Sequence, residues 1–151
     1  MAGTTYDKTN PTGQLQVYGD NMWPGLNVVR IHIDFSKTPV SAADDNWKVL
    51  KLNDGWILKC GYTKLTASTS IATVDIGTAE DGDELDTAVD VSSASADWQV
   101  MDTLVQGTPI IITADGYIWL DFNSAAISDG TLDILLEILV APGEDEIYDN
   151  S

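Results

Sequence analysis

Residues Thr131–Val140 read TLDILLEILV, and the fold class turns on whether this run is a helix or a strand. Leucine and glutamate both favour helices. The spacing does not. Leu132, Ile134, Leu136, Ile138 and Val140 alternate with Asp133, Leu135, Glu137 and Leu139, with no polar stripe at helical spacing. A strand is therefore expected over 131–140. Leucines fall on both of its faces, so it is either covered on both sides or meets another subunit. Leu135 and Leu139 are accordingly candidate oligomer-interface residues, together with Trp119.

The same two-residue rhythm recurs along the chain. Val29, Ile31, Ile33 and Phe35 alternate with polar residues over 27–36. Trp47 to Leu52 and Trp56 to Thr66 flank Asn53-Asp54-Gly55, which reads as a hairpin turn. In the second of these strands Trp56, Leu58, Cys60 and Tyr62 are expected to share a face. Ala72, Val74 and Ile76 mark a strand over 71–76, and 88–91 is a short edge strand or a turn of helix. Strands are expected over 98–105 and 110–113. Ala114-Asp115-Gly116 is a second hairpin turn before Tyr117 to Asn123. Strand after strand, with turn signals between them, indicates an all-β fold, an antiparallel β-sandwich or barrel; strand count favours a jelly-roll-like sandwich, which patterning does not separate from an immunoglobulin-like one.

Three regions follow: an irregular N-terminal arm (1–26), a β-sandwich domain (27–141) and an acidic C-terminal tail (142–151). The arm carries turn signals at Asn10-Pro11 and Trp23-Pro24-Gly25. It either lies on its own domain or reaches a neighbour.

Composition narrows the function classes. With 151 residues the chain is long enough for one self-sufficient core. No apolar run spans a bilayer, and the start, MAGTTYDKTN, lacks the charged and apolar segments of a signal peptide. No membrane partner is expected. The formal charge is -17 and unevenly placed. All seven Lys and Arg lie in the first 64 positions beside six acids, and the remaining 87 positions hold eighteen acids. Such a surface repels phosphate backbones, so nucleic acid is not an expected partner.

Chemistry is hard to find. Cys60 is the single cysteine and His32 the single histidine. Cys60 reads as a small buried hydrophobe, and His32 as an exposed or interface residue. No phosphate loop, metal-type Cys/His spacing or nucleophile elbow is present, and no enzyme is expected. The acidic turn with Asp81, Asp83, Glu84 and Asp86 could offer oxygen ligands to calcium, but its spacing is not that of an EF-hand. No cofactor is otherwise expected. The five tryptophans could form a glycan platform, though core and interface positions suit them better.

From Gly55 to Val140 the chain resembles small β-rich virion proteins of tailed bacteriophages. The resemblance lies in ILKCGYTKLTAST leading into IATVDIGTAEDGDEL, then VSSASADW, DTLVQGTPIIITADGYIWLDFN and the closing LDILLEILV. It implies a capsid decoration, or cement, protein that sits on the outer capsid surface of the virion and stabilises the shell. The implied partners are the major capsid protein and further copies of the chain as a homotrimer. In that setting the arm is a candidate capsid contact through Tyr6, Leu15, Val17, Tyr18 and Trp23. The alternatives are a head-fibre, tail or receptor-binding component, or a carbohydrate-binding module.

Overall fold

Thr131–Val140 is a strand along its whole length, and it lies between two long partners. In a computed structural model describing residues 5–7, 16–18, 23–95 and 97–141, it pairs antiparallel with Gly25–Asp34 on one side and Ile57–Thr66 on the other. The strands in chain order are β1 (Thr5–Asp7), β2 (Gln16–Tyr18), β3 (Gly25–Asp34), β4 (Asn46–Leu52), β5 (Ile57–Thr66), β6 (Thr73–Gly77), β7 (Asp86–Asp90), β8 (Gln99–Val100), β9 (Ile110–Ile111), β10 (Gly116–Asn123) and β11 (Thr131–Val140). No helix occurs among the described residues. The short 88–91 element is an edge strand, β7.

Two sheets face each other. One has the order β1-β4-β10-β6-β7; the other has β2-β3-β11-β5-β8, with β9 also on β5. The pairing is nested. β3 joins β11, β4 joins β10, β5 joins β8 and β9, and β6 joins β7. Outermost strands therefore pair with outermost, and the nesting closes at the β6–β7 connection. This is a long antiparallel ribbon folded across two layers, a β-sandwich as expected.

Side chains on the inward rhythm fill the space between the layers. Val29, Ile31, Ile33, Val74, Ile76, Ile118, Leu120, Phe122, Leu132, Ile134, Leu136 and Ile138 are all buried. At one end Trp47 sits among Phe35 and Phe122, with its ring 4.7 Å from that of Phe122 in an edge-on contact. Edge-on aromatic contacts add to the stabilisation that burial gives.

Three local expectations are corrected. First, both Asp-Gly turns are corners and not hairpins. Asn53-Asp54-Gly55 carries the chain from β4 in one sheet to β5 in the other, and Ala114-Asp115-Gly116 does the same between β9 and β10. The left-handed φ of 89° at Gly55 makes the sharp reversal, as the motif implies, but the flanking strands diverge into opposite layers. The two corners are tied together, because the Asp54 amide donates to Asp115 Oδ1 at 2.8 Å. Second, the rhythm of β5 slips one residue. Glu137 faces Cys60 but Ile138 faces Leu58, so Lys59 is the extra residue of a β-bulge. Leu58, Gly61, Thr63 and Leu65 turn inward, while Cys60 and Tyr62 face out. Third, 98–105 is strand only at Gln99–Val100. Met101 and Leu104 then drop into the core, and the Met101 amide donates to the Gly61 carbonyl. Of the N-terminal arm, residues 5–7 and 16–18 are strands of the chain's own sheets. β1 runs parallel to β4, and β2 runs antiparallel to β3. Leu15 and the tail 142–151 lie outside the described residues.

The β10–β11 loop shows why one glycine is required. Gly130 has φ 81°, and a Cβ there would lie 2.9 Å from the Ser68 amide nitrogen and the Thr66 carbonyl oxygen. Across that approach Asp129 Oδ1 accepts from the Ser68 hydroxyl (2.8 Å) and the Thr69 amide (3.0 Å). The 66–70 turn is thereby locked against the entry to β11.

Leu136 is fully buried beneath Gly61 and Met101. Leu136→Ala is expected to cost about 3 kcal/mol in urea denaturation with an unchanged m-value. A cost below about 1 kcal/mol would contradict the placement of β11 at the centre of its sheet.

Candidate functional site

The outer face of the β3–β11–β5 sheet is built of cross-strand rows that grade from apolar to charged. The first row runs Leu26, Leu139, Ile57 and Ile111 across β3, β11, β5 and β9. The second runs Val28, Glu137 and Cys60, and the third Arg30, Leu135, Tyr62 and Val100. The fourth runs His32, Asp133 and Lys64. Residues opposite one another on one face lie close enough to touch. Leu26 is 59% exposed, Val28 51%, Val100 58% and Ile111 63%. Trp23, 69% exposed, stands just before β3, where its backbone amide and carbonyl both bond the Asn27 side chain. Large apolar side chains gathered on one exposed face mark a contact surface.

The polar groups on this face are ordered. Asp133 Oδ1 accepts from Arg30 Nη2 at 3.0 Å and Nε at 3.1 Å, and His32 Nδ1 lies 2.7 Å away. His32 is therefore half-buried and partnered, not a freely exposed histidine. The Cys60 thiol donates to Glu137 Oε2 and lies 3.8 Å from the Tyr62 hydroxyl. Burial, with the Glu137 hydrogen bond added, pushes the thiol pKa up, so it stays protonated and unreactive at neutral pH.

Leu135 and Leu139 both lie on this face, half-buried between flanking strands. Trp119 does not join them. It stands on the outer face of the other sheet, at right angles to Tyr117, with Lys48 Nζ 4.6 Å from the Tyr117 ring centre and 5.3 Å from that of Trp119. The remaining tryptophans also part company: Trp47 is core, and Trp56 packs against it. Of the arm residues, Tyr6 packs on the core with its hydroxyl 3.1 Å from Ser41 Oγ. Val17 and Tyr18 pair with Ile31 and Arg30. The signal that sequence reasoning missed is the first row, because its four members come from four strands and only the register aligns them.

The other sheet presents acids outward. Asp121 is buried there, and burial, with the charges of Asp81, Asp75 and Asp44, raises its pKa to about 6. The acidic connection between β6 and β7 folds back over this sheet. Asn46 Nδ2 donates to Asp81 Oδ1 at 2.8 Å, the Asp81 amide donates back to Asn46 Oδ1, and Thr5 Oγ1 donates to Glu80 Oε1 at 2.9 Å. Glu84 Oε2 accepts from the Thr78 amide within the turn. Asp86 points elsewhere, accepting from the amides of Thr87 and Asp102 at 3.1 Å each. Burial, followed by the neighbouring Asp102 charge, lifts its pKa to about 6. The four acids weighed as oxygen ligands for calcium, Asp81, Asp83, Glu84 and Asp86, are thus not gathered. Among the described residues, no three His, Cys, Asp or Glu side chains are placed to hold a metal ion.

An open cleft of about 470 Å³ separates β7 from β8, with Thr63, Leu65 and Asp86 among its lining residues. The lining holds no aromatic ring on which a sugar face could stack.

This fold is shared with chains of bacteriophage capsids. A chain of the cyanophage Pam1 capsid asymmetric unit superposes with a TM-score of 0.61 at 15% identity, over 81% of this chain and 89% of that one. A chain of the acid-stable capsid structure of Helicobacter pylori bacteriophage KHP30 superposes with a TM-score of 0.53 at 10% identity, over 85% of this chain and 94% of that one. At such identities the likeness is one of fold. The paired coverages mean that both matched chains are close to this one in length. No protein-family model and no curated protein matches the chain.

The two raised carboxyls give the fold a pH signature. Asp86 and Asp121 hold protons more tightly folded than unfolded, so the folded state gains protons as pH falls through 6. Stability should rise until about pH 4, where the unfolded chain protonates too. Below that, Asp34, Asp90 and Asp129 oppose the trend, because hydrogen bonds from Ser36, Ser92 and Ser68 respectively hold their pKa values low. The melting temperature is expected to rise by roughly 5 °C between about pH 7.5 and 5 and to fall below about pH 3.5. Asp86→Asn should shrink that rise. A melting temperature that falls steadily from pH 7.5 to 5 would contradict the assignment.

Proposed function

We propose that this protein is a structural component of a tailed-bacteriophage virion, a decoration protein that binds the outer head surface and stabilises the shell. The observation that carries the reading is the fold likeness, which spans nearly the full length of two capsid chains of similar size. Three properties of this chain agree with a mechanical role. The folded ribbon ties its first long strand to its last, so the layers resist being peeled apart. One sheet face exposes a row of aliphatic side chains suited to a protein partner. The acids cover the other face, which would keep a densely coated particle soluble.

In this reading the major capsid protein is the partner beneath, and copies of the chain associate as a homotrimer. Arm residues Tyr6, Val17 and Tyr18 then brace the domain itself, since β1 and β2 complete the two sheet edges. Trp23, exposed beside the apolar row, is the arm residue best placed to touch a shell.

Heads of the phage that encodes this chain provide the test. Deleting its gene should leave heads that assemble but release DNA several degrees lower on heating, and adding the purified protein should restore the wild-type temperature. Wild-type heads should carry it in many copies by quantitative mass spectrometry. Heads that lack the protein altogether, or carry it in only a few copies, would overturn the reading and favour a fibre or tail component.

A further inference from the structure

We infer that the outer face of the β2–β3–β11–β5–β8 sheet is the surface that seats the protein on the shell, against a patch of aliphatic or aromatic side chains. The inference rests on the head-surface reading above, and it adds which face docks and what chemistry receives it.

The two outer faces differ in what they can meet. On the β1–β4–β10–β6–β7 side, Asp121 shares its surroundings with Asp44, Asp75 and Asp81, and the β6–β7 connection is hydrogen-bonded down over the strands. A partner docking there would have to desolvate several carboxylates. On the opposite side, the row Leu26, Leu139, Ile57 and Ile111 offers aliphatic contact without any charge to strip of water. Arg30 and Lys64 lie two and three rows away, at the far end of the same face. There Asp133 already holds Arg30, so this end is a paired polar border to the aliphatic row. Its complement is therefore apolar where it meets the aliphatic row.

A second copy fits this face less well than a shell does. Three ten-residue strands with the two-residue β8 and β9 beside them, about 4.8 Å apart, cover roughly 550 Å². A stable protein pair buries about 800 Å² on each partner. Two copies meeting face to face would also bring together two bodies of the same large negative charge. A shell can add contacts around the rim of the face, and it repeats the site many times. Copies of the proposed trimer would then meet through other surfaces.

The test uses full-length protein and heads made without it. Leu26→Asp combined with Ile111→Asp changes two exposed side chains of the row, and Lys51→Glu is a charge control on the other sheet. Head binding is read by co-sedimentation, mass in solution by light scattering, and folding by thermal melting. The double variant is expected to melt like wild type, keep its solution mass and bind heads at least tenfold more weakly, while Lys51→Glu binds normally. Should the aspartates lower the melting temperature, Leu26→Ser with Ile111→Ser gives the same comparison more gently. A folded double variant that binds heads like wild type overturns the inference. So does one whose solution mass falls, because the face would then join copies to each other. Wild-type protein that fails to bind heads overturns the head-surface reading itself, and this inference with it.

Discussion

Strand β11 must satisfy two partners at once, and the rest of the molecule depends on that. It pairs residue for residue with β3 along its full length and with β5 along nearly all of it. Its inward side chains Leu132, Ile134, Leu136 and Ile138 are completely buried. The β3 partner lies about a hundred positions earlier in the chain, so the contact closes only when almost everything between is in place. Such non-local pairing is slow to form, since the entropy of closing the loop is lost before the contacts repay it. Once formed, it fastens the two ends of the ribbon and fixes the register of every strand nested inside.

That register also creates the contact surface. Leu26, Leu139, Ile57 and Ile111 are scattered through the sequence, and they align only because β3, β11, β5 and β9 are held in one register. A slip of one residue in β11 would turn Leu139 inward and Ile138 out. The chain's charge is partitioned by the same construction. The fold places Asp44, Asp75, Asp81 and Asp121 together on one outer face and the aliphatic row on the other. The two faces of the sandwich therefore differ in what they expose, and the domain has two unlike sides.

Much of this was legible in the sequence, and the limits have physical causes. The period-2 rhythm located nearly every long strand and its buried face, because burial on one side of a sheet enforces alternation directly. Thr131–Val140 was read correctly against its helix propensity for that reason. The rhythm could not report the bulge at Lys59, since one extra residue changes the phase without changing composition, and so Cys60 and Tyr62 were assigned to the wrong face. Asp54-Gly55 and Asp115-Gly116 announced sharp reversals. Whether the flanking strands pair or part is decided by layers assembled far away. Leu135 and Leu139 were recognised as unusual for an outer face, and Trp119, the third interface candidate, lies on the opposite sheet. Position within a strand is local information; position across strands is not.

A cryo-electron microscopy map of the parent virion tests the central claim most directly. The account predicts many copies of the sandwich on the outside of the head, with the row Leu26, Leu139, Ile57 and Ile111 turned toward the shell and Asp121 on the far side of the domain. A map with the sandwich absent from the head, or present with that row facing solvent, would contradict it.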